Sequence, residues 1–437
     1  VVRLKPRSLQ IRNLGCSKNL VTSEAIARLF QDNEFKLLDA NQENFDKSYI
    51  VINTCGFLHS AREEANQEIQ KAIDQNPTAK NVIVVGCYAH RFSPILEKMF
   101  PGCTIIRNKD PIEGLADTLK LPNKNPQHSR IVSTSYYTYL ELSKGCDRSC
   151  SFCLIPSIKG PYKSKPQKVL VDEMKAISDQ KNVKEVILIA QDTSIYGLDL
   201  TPQKSLASLV KEISKISSLE WIRILYLYPT LSVSTMKELL AIDKVIPYFD
   251  IPIQHYSQTI LSAMNRPQNL KHYLDSLFHF KSKNPSLTFR STFMVGFPGE
   301  TEENFKELLS GLFRYPFDRA GFFAFSKEVG TEAIKLKDHI HPSTKNRRLK
   351  EAYSFQERIS RRENRKWINQ TMKVLIERLD PIKKMAYGRT YREAPDVDPE
   401  IKISGNYSIL KAKVGTIQDI TITDADAFWL AGTLVAE

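Results

Sequence analysis

At 437 residues the chain is too long for one ordinary hydrophobic core, so two or three domains are expected. It is 42% hydrophobic and 25% charged, no apolar run nears the ~20 residues that span a bilayer, the opening Val1-Val-Arg-Leu-Lys-Pro-Arg-Ser lacks a signal-peptide core, and seven cysteines is an odd number. These features argue against a membrane-spanning helix, secretion and a disulfide framework, and a globular protein in a reducing cytoplasm is expected; the net charge of +13 suits an anionic partner such as RNA, or else solvated helix faces.

Residues 1–125 alternate short β-branched runs with helical patterns, as a parallel-sheet α/β domain does. Tyr49–Ile52 and Val82–Val85 are continuous apolar runs of strand length, the pattern of strands buried on both faces. Each runs into a cysteine turn, Asn-Thr-Cys55-Gly and Gly-Cys87-Tyr. A third turn, Leu14-Gly-Cys16-Ser-Lys-Asn, joins the strand at Leu9–Arg12 to a helix over Leu20–Phe30. Ligands of open parallel sheets gather beyond the carboxyl ends of the strands. Cys16, Cys55 and Cys87 therefore converge on one sheet edge, where they form either a second iron–sulfur site or three buried thiols. Cys103 follows Phe-Pro-Gly without that context and reads as a structural thiol.

Pro122-Asn-Lys-Asn-Pro-Gln-His is a polar linker. From 135 to 365 a strand–helix pattern repeats, with strands at Tyr139–Leu142, Glu185–Ala190, Trp221–Leu227, Tyr248–Ile253, Phe289–Val295 and Gly321–Phe325. Six such units predict a partial (β/α)6 barrel with its chemistry at the strand C-termini. Just after the first strand comes Gly145-Cys-Asp-Arg-Ser-Cys-Ser-Phe-Cys153, a CxxxCxxC run. Cys146, Cys150 and Cys153 can hold three irons of a [4Fe–4S] cluster and leave the fourth open. S-adenosylmethionine (SAM) can chelate that open iron, which is the arrangement of a radical-SAM enzyme. Zinc is the alternative, but it ordinarily takes paired CxxC ligands, and no cysteine follows Cys153. Gln191-Asp-Thr-Ser-Ile-Tyr-Gly197, Ile251-Pro-Ile-Gln-His255 and Gly296-Phe-Pro-Gly-Glu-Thr301 end later strands. They make Gln191, Asp192, Gln254 and Gly296 the candidate SAM contacts, while His255 reads equally as a packing histidine.

Beyond residue 370 the helical pattern stops. Val374–Arg378, Glu400–Ile403, Ser408–Val414 and Asp419–Thr423 read as short strands of a five-stranded antiparallel OB-like barrel over 371–437. The stretch from His339 to Gln370 carries nine Lys/Arg against three Glu, and Thr371 to Glu437 carries nine basic against ten acidic residues. The tail is thus expected to use Glu393, Asp396, Asp398, Glu400, Asp424 and Asp426 to dock a basic protein. The Lys345–Lys366 cluster would touch rRNA or simply be solvated.

The three N-terminal cysteine turns, the loop Gly145–Gly160 and the C-terminal barrel together resemble the radical-SAM methylthiotransferases, over nearly the whole chain. Ile155-Pro-Ser-Ile-Lys-Gly, Gln191–Gly197, Tyr226-Leu-Tyr-Pro, Phe325–Thr331 and Tyr387–Asp398 are most similar to the branch that modifies an aspartate of the small-subunit ribosomal protein S-twelve. Ser17 and Lys327 stand where that branch usually has proline. The resemblance implies an N-terminal methylthiotransferase domain (1–125), a radical-SAM core (135–365) and a TRAM domain (371–437). It also implies two [4Fe–4S] clusters, one on Cys146, Cys150 and Cys153 that cleaves SAM, and one on Cys16, Cys55 and Cys87 that carries sulfide. A first SAM would methylate that sulfur. A second would yield the radical that activates the aspartate β-carbon, with electrons from an external donor. The enzyme would act on S-twelve in association with the ribosome. Two alternatives stand beside this reading: a tRNA adenosine methylthiotransferase, and a non-catalytic zinc-containing RNA-binding protein.

Overall fold

The computed structural model describes residues 7–39, 48–76, 78–123, 130–267 and 269–435. Residues 1–6 of the N-terminal segment and 124–128 of the expected linker lie outside them. The chain divides into two compact units, the first of residues 1–133, 139–148 and 153–180, the second of 134–138, 149–152 and 181–437. Among the described residues no helix is long and apolar enough to cross a membrane.

The first unit runs β1 (Ser8–Asn13), α1 (Ser17–Asp32), β2 (Lys36–Leu37), β3 (Ser48–Thr54), α2 (His59–Gln75), β4 (Val82–Gly86), α3 (Cys87–Met99), β5 (Thr104–Ile105) and α4 (Pro111–Leu119). The strands form one parallel sheet in the order β2-β1-β3-β4-β5. Strand alternation explains the unbroken apolar runs. Ile50, Ile52, Val82 and Val84 face Ala65, Ile69, Tyr88 and Leu96 of α2 and α3. Their neighbours Val51, Ile83 and Val85 face Ile26, Phe30 and Leu115 of α1 and α4. Each side chain sealed this way contributes about 1.5–3 kcal/mol. After the linker, Arg130 ties the chain back to α1 through buried ion pairs with Glu24 and, at 2.8 Å, with Glu173. β6 (Tyr137–Glu141) starts in the second unit and ends in the first. β7 (Ser143–Lys144), α5 (Ile155–Lys159), β8 (Lys163–Ser164) and α6 (Gln167–Gln180) follow, with β7 and β8 paired antiparallel.

The second unit continues with β9 (Glu185–Ile189), α7 (Leu206–Ser214), β10 (Trp221–Ile224), α8 (Val233–Leu240), β11 (Val245–Asp250), α9 (Gln258–Ala263), α10 (Leu270–Lys283), β12 (Thr288–Val295), α11 (Glu302–Arg314), β13 (Arg319–Ala324) and α12 (Pro342–Arg365). The sheet order is β13-β12-β11-β10-β9-β6, so the six expected strands are present in sequence order. β9 to β13 are mutually parallel. Sequential order is the signature of a sheet built by repeated right-handed crossovers.

The tail forms β14 (Thr371–Asp380), β15 (Met385–Thr390), β16 (Ile401–Ser404), α13 (Tyr407–Ala412), β17 (Ile417–Asp426) and β18 (Trp429–Leu434), closing a barrel in the order β14-β15-β16-β18-β17. Two expectations are corrected here. Ser408–Val414, expected as a strand, is largely helix α13: Asn406 caps it by accepting from Ser408 and Ile409 N–H, and Leu410 reaches the barrel core. The barrel is not wholly antiparallel, because β16 and β18 pair parallel. β15 and β18, not anticipated from the sequence, supply the missing strands.

The expected acidic docking face is also corrected. Glu393 is buried and paired with Arg319 at 2.9 Å. Asp398 accepts the Tyr248 hydroxyl at 2.6 Å and caps Ala394 N–H. Asp396 accepts from Tyr137, Glu400 holds Arg378, and Asp426 pairs with Arg361. Glu393, Asp398 and Asp396 tie the segment after β15 to β13, β11 and β6, and Asp426 reaches α12, whereas Glu400 pairs within the barrel and Asp424 stays exposed. The basic helix α12 is likewise mostly engaged. Lys345 is buried with its amine donating to Phe325 O, Arg348 pairs with Glu300, and Arg347 with Glu302.

The most deeply buried fastening is Glu185 of β9. It meets Arg223 at 2.6 Å and Arg389 of β15 at 2.6 Å, all three fully or almost fully buried. Arg389 also grips Glu377, and Arg223 stacks on Tyr248 at 4.5 Å. Burial alone would raise the Glu185 carboxyl, but attraction to the two guanidinium groups outweighs it and holds the group below its usual range. Glu185→Ala leaves two buried cations short of a partner. We expect it to destabilise the chain by about 3–5 kcal/mol, measured by denaturant unfolding; a loss under 1 kcal/mol would contradict this assignment.

Candidate functional site

In the first unit the three cysteine turns lie at the carboxyl ends of adjacent strands β1, β3 and β4. Cys16 occupies the N-cap position of α1 without making a side-chain cap, so its sulfur is left for another use. Cys87 opens α3, whose N-cap is Gly86. The turns are in close contact. A Cβ on Gly15 would come within 2.8 Å of Cys55 Cβ and 3.5 Å of its Sγ, and a Cβ on Gly56 would come within 2.9 Å of the Cys87 carbonyl. Glycine at both places is what lets the three turns close around one point. Burial pushes the Cys55 thiol up to about 11, with the neighbouring Cys16 and Cys87 adding to the rise. The Cys87 thiol is also raised by burial, against which Lys159 pulls it back. A metal that binds these sulfurs must displace their protons.

The loop 146–153 follows β6 and β7. Within the first unit, Cys146 is buried, its N–H bonds Gly160 O at 3.1 Å, and its Sγ accepts Arg148 N–H at 3.4 Å. Cys153 Sγ accepts Ile155 N–H at 3.4 Å. Within the second unit, Cys150 Sγ lies 3.7 Å from Arg266 Nη1. Arg266 also donates to Pro252 O and stacks on Tyr228 at 4.3 Å, while Asn265 holds Ser149 and Ser151 N–H bonds Met264 O at 3.0 Å. All three sulfurs are approached by N–H donors. That is the environment of thiolate ligands, whose negative charge such bonds stabilise.

The helix that leaves this loop carries the unit's most informative contact. Leu154, next to Cys153, and Ile158 of α5 form one apolar cluster with Cys87 and Phe57. The side chain of Lys159, at the end of α5, donates to Cys87. The fold thus brings the α5 end of the CxxxCxxC segment onto the three-turn edge of the first sheet.

In the second unit the remaining candidates gather at strand carboxyl ends, as expected. Gln191 and Asp192 follow β9; Gln191 is part-exposed, and Asp192 is buried and accepts Ser194 N–H at 3.1 Å. Gln254 follows β11 in a left-handed conformation, φ +81°, with its buried side-chain oxygen lacking a hydrogen-bond partner. Gly296 follows β12 and donates its N–H to Glu300, but the space where a Cβ would project is filled by the stem of Lys345, 2.4 Å away. His255 is fully buried. Its Nδ1 accepts Ser257 N–H at 2.9 Å, and burial, then Arg348, lowers it to about 3, so it packs as a neutral ring. Burial raises Glu300 to about 7 against the pull of Arg348 and of two backbone N–H groups.

Cysteine sulfurs that accept N–H bonds, all three of the loop together with Cys55 and Cys87, fit iron–sulfur clusters. Among the described residues no three His, Cys, Asp or Glu side chains close round a single metal ion. A cluster, by contrast, spreads its thiolates over several irons. Cys103 stands apart, half-buried at the edge of the first core, and burial raises it to about 11. Sequence reasoning assigned no role to Arg266 or Lys159. An arginine in a Met-Asn-Arg-Pro turn and a lysine ending Ile-Pro-Ser-Ile-Lys look like surface charges until the fold turns them onto sulfur.

Family models agree in order along the chain: an uncharacterized protein family, UPF0004, over residues 8–107, the radical SAM superfamily over 140–311, and a TRAM domain over 368–435. The chain is 38% identical to the ribosomal protein uS12 methylthiotransferase RimO of Alkaliphilus oremlandii, covering 97% of this chain and 98% of that one. The RimO of Acetivibrio thermocellus is 35% identical, with 99% of each covered. Among solved structures, the radical S-adenosylmethionine methyltransferase TsrM of Kitasatospora setae matches with a TM-score of 0.55 at 13% identity. It covers 76% of this chain and 77% of that one, and it shows likeness of fold alone.

Proposed function

Because the chain belongs to the RimO family of ribosomal protein uS12 methylthiotransferases, we propose that it adds a methylthio group to the β-carbon of an aspartate in uS12. The observation that carries this reading is the seating of α5, which begins two residues after Cys153, against Cys87 of the other cysteine set. Cys146, Cys150 and Cys153 hold one [4Fe–4S] cluster, Cys16, Cys55 and Cys87 a second, and Gln191, Asp192, Gln254 and Gly296 line the place of SAM. When bound, the clusters and SAM supply the electron, the carbon radical and the sulfur. The chain's own residues hold and shield. Arg266 and the N–H groups of Arg148 and Ile155 stabilise thiolate charge, and the apolar cluster of Leu154, Ile158 and Phe57 excludes water at Cys87. No acid–base dyad is demanded of the protein.

In this reading residues 1–125, 135–365 and 371–437 are the sulfur-bearing, SAM-cleaving and TRAM domains. The enzyme works in the cytoplasm with an external electron donor and meets uS12 in association with the ribosome. Mass spectrometry of ribosomal proteins from cells lacking this chain tests it. The methylthio mass is expected to vanish from the uS12 aspartate and to return on complementation. An unchanged uS12 with loss of methylthioadenosine in tRNA would place the enzyme with the tRNA modifiers instead.

A further inference from the structure

Lys159 belongs by sequence to the segment of Cys146–Cys153, yet its side chain serves the other triad. It is the last residue of α5, whose Leu154 and Ile158 anchors are packed against Cys87 and Phe57, so the helix has one place to sit. From there the ammonium donates to Cys87 and lies within electrostatic reach of Cys16 and Glu141. On the opposite side of the same helix Arg91 bonds Ser157, and Lys109 approaches Gly160, which further restricts the helix. Glu141 supplies one negative partner for this ammonium, and an anionic iron–sulfur centre at Cys87 would supply a second on the sulfur side, where neutral thiols give little.

We propose that Lys159 is a positioning residue that sets the reduction potential of the centre held by Cys16, Cys55 and Cys87. Its fixed positive charge stabilises the state of that centre that carries one more electron. The step is the gain of one electron from an external reductant, with no bond made or broken. The inference rests on the two-cluster reading above, and the test separates the two.

The full chain is prepared with Cys146→Ser, Cys150→Ser and Cys153→Ser, so that any reconstituted iron belongs to the other triad. On that background Lys159→Met and Lys159→Arg are titrated with dithionite and followed by electron paramagnetic resonance, with iron measured in each. We expect Lys159→Met to keep its iron while its reduced-to-oxidised ratio at a fixed potential falls about tenfold, a shift of about 59 mV to lower potential for one electron. Lys159→Arg should stay near the parent. Equal midpoints for Lys159→Met and parent would overturn the proposal, as would iron loss in both lysine variants, since that is the mark of a packing role. Iron lost in Lys159→Met but kept in Lys159→Arg would support a role for the charge. A parent that binds no iron refutes the second cluster itself, and the inference with it. The Lys159→Met shift, measured again in the chain with all its cysteines, must have the same sign.

Discussion

Replacing Cys146, Cys150 and Cys153 together with alanine is expected to halve the iron of the anaerobically reconstituted chain, from about eight to about four per chain, and to abolish reductive cleavage of SAM. The reasoning is one of ligand count and environment. The loop supplies three sulfurs, each approached by an N–H donor: the Arg148 and Ile155 amides and the Arg266 guanidinium. Three thiolates leave one iron open, and that opening is what allows SAM to bind the cluster directly. The other triad sits on a different sheet edge with its own supporting glycines, so its iron should survive. Full iron retained by the triple variant would show that this loop holds no cluster. Complete loss would show that Cys16, Cys55 and Cys87 hold no cluster of their own.

Cys55→Ala is expected to separate the two halves of the reaction. Formation of 5′-deoxyadenosine should persist, while methylthio transfer to uS12 should fall below detection. Cys55 follows β3 between Cys16 and Cys87, half-buried and within electrostatic reach of both. In the two-cluster reading its removal leaves the auxiliary centre with two cysteine ligands, too few to retain it. The substitution shortens the side chain without touching the strand, because the Thr54 hydroxyl still bonds Val85 O and the β3–β4 register is carried by backbone. The measurement is chromatographic quantification of 5′-deoxyadenosine beside mass spectrometry of the uS12 peptide. Loss of both activities in a variant with unchanged circular dichroism would show that the centres depend on each other. Methylthio transfer that survived would remove Cys55 from the site.

Much of this protein is determined locally. The apolar runs of β3 and β4, each followed at once by cysteine, place Cys55 and Cys87 at strand ends, because a parallel strand buried on both faces can be written in no other residues. The CxxxCxxC spacing by itself predicts a three-thiolate ligand set, since ligand number and loop length are properties of the chain alone. The six strands of the central sheet are legible as apolar runs, while their sequential order in the sheet comes from the crossovers between them. Where local signals were weak, the expectations failed. Ser408–Val414 alternates enough to pass for a strand, yet the Asn406 cap and the position of Leu410 make it a helix.

What the tertiary structure decided is the partner of each charge. Glu393 and Asp398 read as free acids on a docking surface, and Lys345 and Arg348 as a basic cluster. In the fold they are buried against Arg319, Tyr248, Phe325 O and Glu300. The same holds for Arg266 on Cys150 and Lys159 on Cys87. A side chain's charge is written in the sequence. Its function depends on what stands within a few ångströms of it, and those neighbours come from residues up to 259 positions away, a separation that no local periodicity encodes.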